Sequence, residues 1–312
     1  VVRQLVEQGR RVRAIDLRND SPLLKGLDIE FVEADVTDPA AVSRAIAGAA
    51  VVYHLAAIIS LQEWERERMR RVNVEGVKNV VEACLQGGVR RLIHFTSIHA
   101  LASSGNGAVV DETAELALAK HLPAYDRSKA EGLLEVRQGV TRGLDAVMLH
   151  PVGVLGPGDH RPSLMGEAIR KMAIGRLPAI VEGGFSWVDV RDVASTAIAA
   201  ETRGRKGEQY IVGGGWYSAR EVSDLVGKAS GVPPPRFSAP LWLTRSTAPI
   251  AAAFSWVTRV RLPFTPASIH ALSNHRHVSY EKARRELGHD PRPFADTITD
   301  TVSWFRENGY LR

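Results

Sequence analysis

Hydrophobic positions in the first half of the chain fall into short runs that alternate with amphipathic stretches. Val12–Asp16, Ile29–Ala34, Val51–Ala57, Arg91–Thr96 and Asp145–His150 each read as a strand of four to seven residues. Between them lie stretches with helical spacing, from about Asp38 to Gly48, Met69 to Gln86 and Tyr125 to Arg142. Gly87-Gly88 and Gly143 stand where helices stop, because glycine accepts the left-handed turn at a helix end. Strands alternating with helices predict an α/β chain built on a doubly wound parallel sheet.

The second half is mixed. Gly207–Val212 reads as a strand, and Ser218-Ala-Arg-Glu221 as a capping box that opens a helix. Three prolines at 233–235 break the chain. Residues 240–260 are apolar, with Trp242, Leu243, Ile250, Phe254, Trp256 and Val257; they read as a helix that covers a substrate pocket or packs on the core. The other reading is a peripheral membrane contact through 240–260, which Pro249 and two arginines fit poorly. Ser279–Gly288 and Phe294–Asn308 read as two closing helices. The expected division is a dinucleotide-type core over 1–150, joined by about 186–212, and a smaller mixed substrate-binding part over 151–185 and 213–312.

Composition narrows the classes. The chain has 312 residues, 45% hydrophobic and 24% charged, which is ordinary for a globular protein. Its 40 basic and 35 acidic residues leave a net charge of +5, with no block of like charge to serve as a nucleic-acid arm. The mixed run Glu63–Arg71 reads as a solvated face. The single cysteine, Cys84, rules out an internal disulfide framework and sits in a helical apolar run as a small core residue. No stretch resembles a signal peptide or a membrane span, so a cytoplasmic protein is expected.

The candidate chemistry lies in Tyr125-Asp-Arg-Ser-Lys129. A helix puts positions i and i+4 on one face, so a lysine ammonium there can sit beside a tyrosine and favour its phenolate. Ser97 ends an apolar strand, from where its hydroxyl can polarise a carbonyl. A lone Tyr-x-x-x-Lys pair is an ordinary helix face; with Ser97 upstream it reads as an alcohol/ketone site. In a dinucleotide fold the first strand leads into a glycine turn and helix whose amides hold the pyrophosphate. Val1–Gly9 reads as the tail of that helix, so the strand and loop are expected ahead of Val1, and adding them is expected to raise NAD affinity. Asp16 ends the next strand, where an acid accepts hydrogen bonds from ribose hydroxyls; Arg18 offers a contact to a 2′-phosphate, so NAD is expected and NADP is not excluded.

The ordered set Asp35-Val-Thr-Asp38, His54-Leu-Ala-Ala57, Asn73-Val-Glu-Gly76, Ser97, Tyr125/Lys129, His150-Pro-Val-Gly-Val-Leu-Gly-Pro157 and Ser186–Ala194 resembles the extended short-chain dehydrogenase/reductase (NAD-dependent epimerase/dehydratase) family. Within it the chain is most similar to the dihydroflavonol-reductase-like and 3β-hydroxysteroid-dehydrogenase-like branch; Lys282–Gly288 and Trp304–Gly309 support that placement. The resemblance runs end to end and implies a Rossmann-like fold. It implies that Ser97, Tyr125 and Lys129 are catalytic, that Asp35 and Val36 meet the adenine, that Leu55, Ala56 and Ala57 line the cofactor, that Asn73 lies near it, that Lys129 holds the nicotinamide ribose, and that Pro151 and Val152 border the nicotinamide. It also implies a dimer through the helices near Met69 and Tyr125, whose apolar faces equally suit the core.

The chain departs from the family pattern at His150, where an arginine is usual, and His150 reads as a satisfied core residue. His99 reads as a plain loop residue, Asp189 and Asp192 as residues that start a helix, and Asn73 alternatively as a helix cap. The leading reading is an NAD(P)-dependent oxidoreductase acting on a hydrophobic secondary alcohol or ketone. The alternative is an epimerase or dehydratase of a nucleotide or lipid-linked sugar, against which Gly153 stands where such enzymes commonly carry asparagine. A third reading is a non-catalytic cofactor- or partner-binding protein.

Overall fold

The computed structural model describes residues 1–103, 107–258 and 265–311; of 249–254 and 257 it describes the backbone alone. The chain opens on α1 (Val2–Glu7), then β1 (Arg13–Asp16), β2 (Glu30–Glu33), α2 (Pro39–Ile46) and β3 (Val51–His54). Next come α3 (Arg66–Arg70), α4 (Val77–Gln86), β4 (Arg91–Phe95), α5 (Ala124–Thr141) and β5 (Ala146–Pro151). The later elements are β6 (Gly153–Leu155), α6 (Leu164–Ala173), β7 (Ala179–Val181), β8 (Gly184–Asp189), α7 (Val190–Arg203), β9 (Gln209–Val212), β10 (Gly215–Ser218) and α8 (Ala219–Ser230). The chain closes with β11 (Phe237–Ala239), α9 (Leu241–Thr258), α10 (Pro266–Ser273), α11 (Glu281–Leu287) and α12 (Phe294–Glu307).

The main layer is a parallel sheet in the order β3-β4-β5-β9, and β1 and β2 form a separate parallel pair. Among the described residues β1 and β3 each keep one edge without a partner strand. Side chains alternate across the sheet and feed two cores. Leu92, Ala146 and Met148 pack with Val42, Val80, Leu133 and Val136 on the face covered by α2, α4 and α5. Ile93, Val147, Leu149 and Ile211 pack with Ala197, Ala200, Ala283 and Leu287 on the face covered by α7 and α11. The fold is therefore Rossmann-like, with helices on both sheet faces.

A third core lies in the later chain, where Trp187, Val222, Val226, Phe294, Ile298 and Phe305 join α8 and α12 to the three-stranded sheet β10-β8-β6. The Ser218–Glu221 capping box is formed as the sequence predicts. Asp189 caps α7 by accepting from the Arg191 amide, and Asp192 pairs with Arg292, so both aspartates are structural. Cys84 is buried, and burial pushes its thiol up to about 12. The apolar faces of α4 and α5 go into the first core.

Three expectations change. The helix expected from Met69 begins at Arg66 and carries a π segment over Arg71–Gly76. Such a bulge turns side chains away from the regular spacing and is frequent at functional sites. Asn73 lies inside it, buried, and caps no helix. The run Glu63–Arg71 is not a uniformly solvated face: Met69 is buried, and so is Glu65, which accepts from the Ser60 hydroxyl. Finally, α9 leaves Trp242 and Trp256 exposed (69% and 60%) while Ser255 is buried against Gln62. It therefore does not cover a site with all of its tryptophans, and the expected contacts of Ile250, Phe254 and Val257 lie outside the described residues. No helix among the described residues is long and apolar enough to cross a membrane.

Glycine sets one close approach that matters for the site. A Cβ built on Gly132 of α5 would overlap the Asn73 carbonyl oxygen, so the two backbones touch where only hydrogen fits. Gly132→Ala is expected to destabilise the chain by about 2 kcal/mol, as overpacking of a close-packed contact does. Denaturant melts would measure the loss; an unchanged midpoint would show that α5 slides freely on the π segment.

Candidate active site

The carboxyl ends of parallel strands are where such sheets place ligands, because helix amide ends and the intervening loops converge there. Asp16 ends β1, Asp35 follows β2, Leu55–Ala57 follow β3, Ser97 follows β4, and Pro151 ends β5 with Val152 next to it. Leu55, Ala56, Ala57, Ser97, Pro151 and Val152 thus lie at the carboxyl end of one parallel sheet, and Asp16, Arg18 and Asp35 at the carboxyl end of the separate β1–β2 pair. Asp16, Arg18 and Asp35 are exposed, as are Leu55, Ala56 and Ala57; Val36 is half-buried and Val152 buried. The Asp16 carboxylate accepts from the Leu17 amide at 2.6 Å through one oxygen. Asp35 closes a local turn by accepting from Thr37 N–H at 2.8 Å.

Asn73 acts as a tie. Its oxygen accepts from Ile58 N–H at 2.8 Å, and its amide donates to Ile58 O at 2.9 Å and to Ser128 Oγ at 3.0 Å. One side chain therefore fixes the turn after Ala57 to the helix that carries Tyr125. Both amide hydrogens are used within the protein, so its role here is to shape the cofactor-side turn.

Ser97 caps a short 3₁₀ turn over Ile98–Ala100, its Oγ accepting from His99 N–H at 3.2 Å. That bond occupies a lone pair and leaves the hydroxyl hydrogen for donation elsewhere. Its neighbour is Tyr125, at the start of α5. Burial pushes the Tyr125 phenol up to about 12; the nearby Ser97 hydroxyl works against this and the charge of Asp126 adds to it. The chain alone therefore keeps Tyr125 protonated at neutral pH.

Lys129 is buried one turn further on, and its ammonium donates to Phe95 O at 3.1 Å. Burial lowers it to about 8. The described residues give it no second acceptor, although an ammonium has three donors. The expected lysine–tyrosine pairing is thus not what holds Lys129; a strand carbonyl does.

Three buried histidines surround this lysine. His54 and His94 pair across β3 and β4 with stacked rings 5.3 Å apart. Burial, reinforced by the Lys129 charge, lowers His54 to about 3, and burial with the neighbouring charges takes His94 well below its ordinary value. His150 is fully buried between Ser97 O (3.1 Å) and the Gln209 side chain (3.0 Å), and burial lowers it to about 4. All three are neutral, which leaves Lys129 as the cation beside them. His150 is a satisfied core residue that also holds the Ser97 backbone. Sequence reading missed the His54–His94 stack, whose only signal was the matching position of each in its strand.

His99 is not a plain loop residue. Its ring meets the Tyr125 ring edge-on at 5.7 Å, and its Nδ1 lies 3.3 Å from Asp126. A cavity of about 560 Å³ bounded by Arg10, Asp192, Glu201, Arg203 and His289 lies elsewhere, against α7, and contains none of the Ser97/Tyr125/Lys129 set. Arg10 there pairs with Glu201 and Asp192 with Arg292, and Arg203 donates to Leu287 O.

The arrangement fits a dinucleotide. A buried ammonium with spare donors and an exposed turn of small residues lie at the carboxyl end of the main sheet, and an exposed strand-end carboxylate at that of the β1–β2 pair. Comparison with known proteins agrees. Residues 1–218 match the 3-beta hydroxysteroid dehydrogenase/isomerase family. Sterol demethylase protein B of Methylococcus capsulatus is 32% identical over 100% of this chain and 95% of its own. The solved structure of gox2253 superposes with a TM-score of 0.88 at 30% identity, covering 100% of this chain and 95% of that one. The dTDP-glucose 4,6-dehydratase DesIV of Streptomyces venezuelae shares the fold at a TM-score of 0.79 and 22% identity, covering 98% of this chain and 92% of that one. The chain belongs to the 3-beta hydroxysteroid dehydrogenase/isomerase family within the extended short-chain dehydrogenases/reductases, a family of NAD-dependent enzymes that act on CH–OH groups.

Proposed function

We propose that this enzyme interconverts a hydrophobic secondary alcohol, of the rigid sterol class, and its ketone, with Tyr125 as the proton-transfer residue. The observation that carries the reading is the convergence of three side chains: Ser97 at the carboxyl end of β4, Tyr125 at the start of α5 beside the His99 ring of the Ser97 turn, and Lys129 buried one turn along the same helix and bonded to Phe95 O. The sterol class is supported by the family description and by the name of the Methylococcus relative.

NAD, when bound, supplies the hydride acceptor and a positive ring that favours the phenolate. Lys129 would hold its ribose through the unspent N–H groups, with the Leu55–Ala57 turn and Val152 beside it. Asp16 has one carboxylate oxygen outside the Leu17 bond, suited to the adenosine ribose hydroxyls; its charge would repel a 2′-phosphate, which favours NAD over NADP. Ser97 donates to the substrate oxygen and orients it. Tyr125 takes the alcohol proton during oxidation and returns it to the oxygen during reduction. The exposed Trp242 and Trp256 of α9 support a peripheral contact with a lipid surface, from which a hydrophobic substrate would enter.

The test has two stages. Calorimetric titration of NAD and NADP is expected to show tighter binding of NAD. Incubation of the NAD-loaded chain with sterol-type secondary alcohols and, separately, with nucleotide sugars should then form NADH with the alcohols. Turnover of nucleotide sugars alone would transfer the site to the epimerase or dehydratase reading. Absence of binding by either dinucleotide, also when the strand and glycine loop expected ahead of Val1 are supplied, would favour a non-catalytic protein.

A further inference from the structure

Asp126 follows Tyr125 on α5 and is buried, with 5% of its side chain exposed. Two imidazoles from different parts of the chain converge on it. His99 Nδ1, from the turn that carries Ser97, lies 3.3 Å from Asp126 Oδ1. His270 Nε2, from α10, lies 3.4 Å from Asp126 Oδ2. Asn274 Nδ2 lies against the other side of the His270 ring, 2.5 Å from Nε2 and 3.1 Å from Nδ1. Burial would push the Asp126 carboxyl up, but the contacts with His270 and His99 outweigh it and hold it at about 2. The carboxylate is therefore charged at every working pH.

The remaining groups around this carboxylate are accounted for. His275, at a positive φ of 53°, packs edge-on against His99 at 5.3 Å. Its Nε2 lies 3.0 Å from Leu101 O, so that nitrogen carries the hydrogen, and burial lowers the ring to about 4, leaving it neutral. Tyr125 lies on the other side of His99. Among the described residues no group of three or more His, Cys, Asp or Glu side chains has the arrangement to hold a metal ion. The cluster is thus a charged carboxylate held between two imidazoles at 3.3 and 3.4 Å, and it joins the Ser97 turn, the Tyr125 helix and α10.

We propose that Asp126 is a positioning residue of this site: through His270 it seats α10 on the catalytic helix, and through His99 it fixes an imidazole against the Tyr125 ring, so that it governs substrate binding. The seat deepens the alcohol/ketone reading, on which its kinetic consequence rests. A carboxylate between two imidazoles is a specific lock, because removing either imidazole leaves a buried charge short of a partner. The apolar contacts of α10, through the buried Ile269, give it area but little direction.

Three variants test this: Asp126→Asn, His270→Phe, and His270→Gln, whose amide keeps a donor for the carboxylate. Hydrogen exchange is read over residues 266–273, and steady-state kinetics with an alcohol substrate across pH. Asp126→Asn and His270→Phe are expected to speed α10 exchange about fivefold or more. They should raise KM about fivefold while kcat changes by less than about threefold. His270→Gln should stay within about twofold of the parent in both readouts.

Asp126→Asn also removes a negative charge next to Tyr125. The phenolate then forms more readily, so the acid limb of alcohol oxidation should move about half a unit or more toward lower pH. Unchanged exchange and KM in both disruptive variants would overturn the proposal. Faster exchange with an unmoved acid limb would also overturn it, reducing Asp126 to a structural pin. If Asp126→Asn fails to fold, the partly exposed His270 site supplies the same comparison through Phe against Gln. If the parent chain turns over no alcohol, the functional reading fails, while the exchange measurement still decides the seat.

Discussion

Tyr125→Phe is expected to lower turnover about a thousandfold, in the range that a positioned acid–base group contributes, with the melting temperature within a few degrees of the parent. The variant keeps the ring, and with it the edge-on contact to His99 at 5.7 Å. It removes the hydroxyl that is proposed to carry the transferable proton. NAD affinity should change little, because the proposed ribose contact belongs to Lys129. Steady-state NADH formation, read beside a circular-dichroism melt, checks both halves. Near-normal turnover would sink the proton-transfer assignment, whatever the fold comparison shows.

The second large effect sets stability against activity. Lys129→Met is expected to stabilise the cofactor-free chain at pH 7 by on the order of 1–3 kcal/mol, while abolishing measurable turnover. The physical cause is desolvation. The lysine titrates near 8 in the folded chain against 10.5 ordinarily, so at neutral pH the folded state holds a charge that the unfolded state holds at lower cost. That penalty is present in full below about 8 and is relieved as pH climbs toward 10.5, where the unfolded lysine also loses its proton. The lost bond to Phe95 O offsets part of the gain. The stability difference between variant and parent should therefore shrink between pH 8 and 10.5. Thermal melts across that range measure it. A variant less stable than its parent at pH 7 would show that the Phe95 bond outweighs desolvation, and that Lys129 is a structural residue first.

Together the two variants separate the roles within one helix. In the proposed reading Tyr125 serves the proton and Lys129 the cofactor, and both sit on the helix that Gly132 lets approach the Asn73 backbone. A site assembled by such close backbone contact is sensitive to small displacements, since misplacing reacting groups by about an ångström costs about a hundredfold in rate. The Gly132→Ala variant should accordingly lose activity as well as stability.

Most of the parallel layer could be read from the chain before any coordinates. The strand runs, the helix stops at Gly87-Gly88 and Gly143, and the Ser218–Glu221 cap are local signals, and local physics carries them into the structure. What local spacing misjudged shares one feature. Asn73 was open to a cap reading, but a π segment turns it inward to bond Ile58 and Ser128, 15 and 55 residues away in the chain. His99 looked like a loop residue because its partners, Tyr125, Asp126 and His275, lie in other parts of the chain. Glu65 looked solvated because the charges around it in sequence are exposed, while its Ser60 contact is buried.

By itself, then, the sequence determined the alternation of strand and helix, the order of the motifs, and the Tyr125–Lys129 face, because hydrophobic period and the i to i+4 geometry of a helix are properties of neighbours in the chain. Only the tertiary structure decided which histidines are neutral, that Lys129 leans on the Phe95 carbonyl, and that one carboxylate ties α10 to the catalytic helix. Burial and charge pairing depend on what the rest of the chain packs around a group, and residues 99, 126 and 270 acquire their meaning only once the fold has brought them within bonding distance.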